Sequence, residues 1–332
     1  MTIIIAEAGV NHNGDLKTAF DLVDAAVTAK ADIIKFQSFK AEKLATLNAD
    51  KAMYQKRATN PVESQQSMLK RLELNFDEQI QLKNYCDSRN IEFLSTPFDI
   101  ESIKFLTNLH PKRWKIPSGE ITNIPYLKII GSQKIPIILS TGMSNMSEIA
   151  LALETIQLSG TPKDMITVLQ CTTCYPAPID QINLNAMKTI SEAFDVNVGY
   201  SDHTCDLFIP VAAVAMGAKI IEKHFTLDRK MEGPDHKASL EPHELVEMIQ
   251  AIKKVEKSLG DGNKRPLASE IENIKVARKS IVASVKIKKG DIFSEENLTT
   301  KRPGVGISPI HWEKIIGMKA KRNYDYDELI KW

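Results

Sequence analysis

The sequence predicts a closed (β/α)8 TIM barrel followed by a small β-rich domain. Three observations carry that expectation: short β-branched runs alternate strictly with helical patterns, eight such units occur, and the pattern changes near Ser280. Strict alternation means a parallel sheet covered by helices, and eight units in about 250 residues match the closed barrel. An open doubly wound sheet is the runner-up, but no GxGxxG follows the first strand. The expected boundaries are 1–260 for the barrel, 261–279 for a linker and 280–332 for the small domain.

Taken in order, the first strand, Ile3 to Ala8, ends in GVNHNGD, a Gly and Asn cluster that reads as a loop. LKTAFDLVDAAVTAKA then repeats apolar residues at helical spacing. A second strand, Asp32 to Gln37, leads into residues 40–76, which are polar and irregular in period. A connection of that length is a functional loop or a covering insertion. FDEQIQLKNYCDSRN then precedes strand IEFLST, SIKFLTNLH precedes RWKIPS, PYLKIIGS precedes IPIILST, and SEIALALETIQLSG precedes MITVLQCT. Helix NLNAMKTISEAF, strand VNVGYS, helix LFIPVAAVAMG, strand AKIIEKHF and helix ELVEMIQAIKKVEKSLG complete the barrel. GDGNKRP reads as the linker, and the tail beyond it shows short strands, polar turns and one brief helix.

Composition excludes several classes. Lys plus Arg number 43 against 42 Asp plus Glu, so no global field draws the chain to nucleic acid or to a membrane surface. Any anionic substrate has to be held by local lysines. MTIIIAEAG is apolar only over a strand's length, and no run reaches the roughly 18 residues of a membrane span, so a soluble cytoplasmic protein is expected. Four cysteines in 332 residues make no disulfide framework. Cys171 and Cys174 form a CxxC, but it follows an apolar run and has no second pair, so buried or loop thiols are expected there.

Polar residues gather where strands end, which in a barrel is where chemistry is placed. Glu7 lies in the first strand, Lys35 and Gln37 in the second, Ser95 and Thr96 end the third, and Lys115, Ser118 and Glu120 mark the fourth. Ser140 and Thr141 end the fifth, Thr172 and Thr173 the sixth, Ser201, Asp202 and His203 the seventh, and Glu222 and His224 the eighth. Lysines inside apolar strands are costly to bury unless they meet an anion, which assigns Lys35 and Lys115 to a phosphate or carboxylate ligand. The competing reading pairs them internally with Glu7 or Glu120. His203 and His224, at the ends of adjacent strands, are candidate ligands for a divalent metal, and Glu7 and Glu120 are candidates for proton transfer.

The motifs EAGVNHNG, KFQSF, STPFD, KIPSGE, ILSTGM, CTTCYP, GYSDHT, EKHFTLD, GPDH and KRPG, in this order over nearly the whole chain, resemble the sialic acid synthase family. The tail resembles that family's antifreeze-like (SAF) domain. The resemblance implies condensation of phosphoenolpyruvate with an acetamido-mannose sugar, giving a 2-keto acid and phosphate, by a homodimer in which each tail covers the partner's barrel mouth. Carried over by motif, His203 and His224 match metal ligands for manganese or magnesium. Lys35, Thr96 and Ser140 match groups around the phosphoenolpyruvate carboxylate; Lys115, Ser118 and Ser201 match those around its phosphate. Thr173 stands where many members have Asn, a hydroxyl in place of an amide. Glu120 matches a proton-handling carboxylate; Glu7, Gln37, Tyr175 and Asp235 match the sugar side; Arg302 matches an arginine lent by the partner. N-acetylmannosamine is the first expected acceptor, giving N-acetylneuraminate. The alternative acceptor is a 2,4-diacetamido-2,4,6-trideoxymannose, giving N,N'-diacetyllegionaminate, toward which AEAGVNHNGD and SGEITNIPYL lean. A non-catalytic carbohydrate-binding protein is a third reading, and the lysines, histidines and Glu120 together argue against it.

Overall fold

Parallel strands frame the first part of the chain: β1 (Ile3–Gly9), β2 (Ile33–Ser38), β3 (Glu92–Pro97), β4 (Trp114–Ile116), β5 (Ile137–Ser140), β6 (Ile166–Cys171), β7 (Asn197–Asp202) and β8 (Ile220–His224). This computed structural model describes residues 1–332, in two compact units, Met1–Gly260 and Asp261–Trp332. The strand order β3-β2-β1-β8-β7-β6-β5-β4 seats the first strand beside the last, with Glu7 in register with His224. That pairing makes the sheet a barrel and excludes the open doubly wound alternative. The seam lies between β3 and the three-residue β4, where Arg113 forks onto Glu92 at 2.8 and 3.2 Å.

Helices follow every strand, and their ends carry the caps the sequence supplies. α1 (Leu16–Ala29) starts at Asp15, whose side chain accepts from Thr18 N at 2.7 Å. Residues 40–76, expected as an irregular loop or insertion, instead carry three short helices: α2 (Ala41–Leu44), α3 (Met53–Ala58) and α4 (Gln65–Leu72). Each is too short to show a clear period, which is why the stretch reads as irregular. The outer ring then follows as α5 (Phe76–Ser88), α6 (Ile100–Asn108), α7 (Ile124–Gly131), α8 (Met146–Ser159), α9 (Asn185–Phe194), α10 (Phe208–Ala215) and α11 (Pro242–Leu259). Asn75 with Glu78 and Asn145 with Glu148 form capping boxes on α5 and α8. The main core lies between the strands and this ring.

The second unit is built on a two-stranded antiparallel ladder, β9 (Ser280–Ala283) with β10 (Leu298–Lys301), around Ile281, Ile287, Phe293, Leu298, Ile315 and Tyr324. Where the sequence reads as a linker, α12 (Ile271–Ala277) forms and docks onto the KRPG turn. Gly304 N donates to the Lys275 carbonyl at 2.7 Å, and a Cβ on Gly304 would fall 2.8 Å from the Ile274 carbonyl oxygen. The brief tail helix is α13 (Trp312–Ile315).

Candidate active site

Alternation along the strands decides which side chains face the barrel axis. Ile5, Ile33, Leu94, Ile138, Leu169 and Ile220 form one buried apolar layer. Two residues further along the same strands stand Glu7, Lys35, Thr96, Ser140, Cys171 and Glu222. The period that fills the interior below therefore delivers the polar groups at the carboxyl end above. On β4, Lys115 takes the inward place between Trp114 and Ile116, which pack into the outer core.

Over this floor lies a cavity of about 350 Å³. It is lined by Glu7, Lys35, Gln37, Thr96, Lys115, Ser118, Glu120, Ser140, Thr173, Tyr175, Ser201, His203, His224 and Asp235, the barrel residues matched to the family's motifs, whereas Ser95, Thr141, Thr172 and Asp202, also placed at strand ends, do not line it. Arg302 belongs to the second unit, where it is exposed and donates from Nε to the Ala277 carbonyl at 3.1 Å. Cys171 is buried and Cys174 exposed, both as free thiols.

The charges of the floor are arranged around Glu222, which sequence reasoning placed at a strand end but gave no role. Lys35 Nζ lies 2.9 Å from Glu7 Oε2 and 3.6 Å from Glu222 Oε1, and donates to Thr96 Oγ1 at 3.1 Å. Lys115 Nζ lies 3.4 Å from Glu222 Oε1 and donates to Ser140 Oγ at 2.7 Å, and Ser201 Oγ donates to Glu222 Oε1 at 3.1 Å. Glu120 is thus not a lysine partner, contrary to one expectation; Glu222 serves both lysines. Burial alone would raise the Glu222 carboxyl, but Lys115 and Lys35 outweigh it and hold it below the usual carboxylate range. Burial pushes Glu7 up to about 7 against the pull of Lys35, and burial likewise lowers Lys115. The signal for Glu222 was available: it sits two residues before His224 on the same face of β8.

Glu120 stands apart from this network. It ends a 3-10 turn, Ser118–Glu120, just beyond β4, is half-buried, and accepts from Asn123 Nδ2 at 2.6 Å. Burial raises its carboxyl with no cation to counter it, which suits a group that takes up and gives back a proton. Ser118 Oγ accepts from Gly142 N at 2.9 Å and so holds the β5 end close to the β4 end.

The two histidines meet at 5.3 Å between ring centroids, with Tyr175 stacked on His203 at 4.2 Å and Tyr54 of α3 stacked on Tyr175 at 5.0 Å. His203 Nδ1 lies 2.6 Å from the Thr172 carbonyl oxygen. A carbonyl only accepts, so Nδ1 carries the proton and Nε2 keeps its lone pair. His224 Nδ1 is buried without a partner. Burial keeps both rings neutral, His203 at about 4. Gly9, at φ 54, lets β1 pass beside His224: a Cβ there would be 3.6 Å from its Cε1 and 3.3 Å from Glu7 Oε1. Neutral rings with free nitrogens fit a divalent cation, while no third His, Cys, Asp or Glu joins them in a cluster.

Behind the histidines a fully buried pair anchors the strand ends: Lys223 bonds Asp202, whose Oδ1 accepts from Thr204 N and Tyr200 Oη, each at 3.0 Å. His203 is thus clamped between two residues held from below. The GVNHNG loop does similar work on the far side. Asn11 Nδ2 donates to the Phe225 carbonyl at 2.8 Å and to Ser239 Oγ at 2.9 Å, and Asn13 Nδ2 to the Glu232 carbonyl at 2.9 Å. These bonds fix the loop that carries Asp235, whose carboxyl burial pushes up to about 6.

A barrel whose mouth gathers paired lysines, neutral imidazoles and a separately raised carboxyl defines an enzyme acting on a small anionic substrate. The chain matches the NeuB family model over residues 22–264 and the SAF domain over residues 278–332. It belongs to the NeuB family. It is 53% identical over 330 residues to the N,N'-diacetyllegionaminic acid synthase of Campylobacter jejuni, covering 99% of both chains. With the synthase of the same name from Legionella pneumophila it shares 44% over 331 residues, 99% of this chain and 93% of that one. Among solved structures it resembles the N-acetylneuraminic acid synthetase of Leptospira borgpetersenii in complex with citrate, at 35% identity and a TM-score of 0.72 over 82% of this chain and 90% of that one. No helix is long and apolar enough to cross a membrane.

Proposed function

We propose that the protein condenses phosphoenolpyruvate with 2,4-diacetamido-2,4,6-trideoxymannose, giving N,N'-diacetyllegionaminate and phosphate, a carbon–carbon bond-forming transfer of class 2.5.1. The family resemblance puts N-acetylmannosamine first as acceptor; two full-length relatives at 53% and 44% identity support the alternative instead. The observation that carries the reaction class is the floor itself, two buried lysines sharing Glu222 beside two neutral imidazoles.

Each role follows from position. Lys35, Thr96 and Ser140 take the enolpyruvate carboxylate, and Lys115, Ser118, Ser201 and Thr173 take its phosphate. A manganese or magnesium ion held by His203 and His224 would polarise the acceptor's aldehyde as a Lewis acid. Glu7, Gln37, Tyr175 and Asp235 orient the open-chain sugar so that its aldehyde carbon meets C3 of the enolpyruvate. Glu120, raised by burial and free of cations, takes a proton from the water that adds at C2, and C–O cleavage then releases phosphate. Fixed donors aimed at the mouth stabilise charge as it develops.

Phosphate release from phosphoenolpyruvate, with each sugar and with or without chelator, tests the reading. Turnover with the diacetamido sugar that chelator abolishes and manganese restores is the expected result; full activity after exhaustive metal removal overturns the metal assignment. In the assembly, Arg302 is proposed to complete the partner's site in a domain-swapped homodimer. Mixed dimers of His203→Ala and Arg302→Ala chains should then regain about a quarter of all sites on random exchange, and none if Arg302 serves its own chain.

A further inference from the structure

The cavity has two chemically different sides. Beyond the charged floor it is lined by a group of apolar side chains, Leu44 of α2, Met68, Leu69 and Leu72 of α4, and Val10 and Phe98 from the ends of β1 and β3, while Tyr54 and Gln55 of α3 and Gln65 of α4 also reach it. Met68, Leu69 and Leu72 share one buried face of α4, at the helical spacing that sets neighbours side by side. None of the six brings a hydrogen-bonding group to the cavity.

This wall is held in place. Lys51 Nζ donates to Thr59 Oγ1 at 2.6 Å and lies 3.0 Å from Glu63, which also pairs with Arg71. Lys40 Nζ lies 2.9 Å from Glu73 at the end of α4. Beneath it the chain passes so close that a Cβ on Gly14 would fall 2.2 Å from the Arg71 carbonyl oxygen. A wall fixed from both sides keeps these apolar side chains in place, so it selects by shape and polarity wherever they meet the ligand.

The geometry of the reaction decides what meets it. The acceptor's C1 must reach the floor, where the imidazoles stand, so its C6 end points away from the floor. Resting on the synthase reading above, we propose that the wall of Leu44, Met68, Leu69 and Leu72 selects the acceptor at C6, accepting a methyl group and disfavouring a hydroxymethyl. A hydroxyl set against these four side chains gives up water and gains no partner from them. An apolar pocket disfavours one added hydroxyl by about 100-fold at most, which bounds the expected preference at roughly 10–100-fold in kcat/KM.

The test uses two sugars that differ only there, 2,4-diacetamido-2,4,6-trideoxymannose and its 6-hydroxy counterpart, with phosphate release as the readout. The wild-type protein should prefer the 6-deoxy sugar by about 10–100-fold. Leu69→Asn and Leu44→Gln should each shrink that ratio by about 10-fold, and the KM for phosphoenolpyruvate in the same assays reports the floor. Leu44 is only half-buried, so Leu44→Gln remains informative even where Leu69→Asn unfolds the wall. Equal use of both sugars by the wild type, or an unchanged ratio in the folded variants, overturns the inference while leaving the synthase reading intact. Silence with both sugars, metal present, overturns the synthase reading and the inference with it.

Discussion

The floor and the wall of the cavity differ in how their residues come to be there. Floor residues are placed by the barrel's own period: Glu7, Lys35, Thr96, Ser140 and Glu222 each stand two positions beyond an apolar residue of the interior layer, on a strand tied to neighbours on both sides or, at the seam, on one. Leu44, Met68, Leu69 and Leu72 of the wall belong to an insertion between β2 and α5 whose helices are four to eight residues long and held by ion pairs and one close backbone approach. The floor therefore resists change in geometry but is sensitive to charge. The wall is held as firmly, by ion pairs and a close backbone approach, but its apolar side chains make it sensitive to added polarity instead.

The sharpest way to break the comparison is to unbalance the floor. Glu222→Leu leaves Lys115 buried without a carboxylate and should lower stability by about 3–5 kcal/mol, seen as a large drop in the urea midpoint. The double variant Lys115→Met with Glu222→Leu removes the exposed imbalance and should recover most of that stability while remaining inactive. Recovery of turnover in the double variant would falsify the assignment of these charges to substrate binding.

A smaller, purely chemical effect is expected at the floor's edge. Glu120→Gln should lower kcat by about 100-fold, the scale for removing a positioned acid or base, with stability and the KM for phosphoenolpyruvate nearly as in the wild type. Wild-type turnover in this variant would make Glu120 a structural residue.

On the wall side, Gly14→Ala adds a Cβ at φ 76 against the backbone of α4. It should cost about 1–3 kcal/mol and loosen the insertion, so that proteolysis cuts within residues 41–72 before it cuts the barrel. Uniform protection of that segment would show that the insertion is held by its ion pairs alone.

The smallest effect is a pH dependence under the wall. Burial lowers His12 from its usual value to about 4, and its Nδ1 accepts from Gly14 N at 3.0 Å. The folded pKa lies below the unfolded one, so the stability it contributes is complete above about pH 6.5 and is lost as pH falls through 4. Between pH 7 and 4.5 the wild type should lose about 2 kcal/mol relative to His12→Asn, measured as the difference in urea midpoints. The Asp235 carboxyl, raised to about 6, acts with the opposite sign, so the comparison must be made between variants at each pH. Parallel pH curves for the two proteins would show that His12 titrates alike in both states.

The sequence by itself determined the barrel and its floor, because both follow from one local rule, a period of two along short strands that end in polar residues. Lys35, Lys115, His203 and His224 belong to one mouth by sequence alone, since eight alternating units leave them no other end to occupy. Only the tertiary structure decided that Glu222 is the carboxylate both lysines share, because β2, β4 and β8 are not neighbours in the sheet and their side chains meet only across the closed barrel. It alone decided, too, that Leu44 and the Met68, Leu69 and Leu72 face of α4 reach the cavity, and that the segment before Ser280 is a docked helix. Helices that short have no period to read; they are held by what they pack on, and that is information carried by residues far away in the chain.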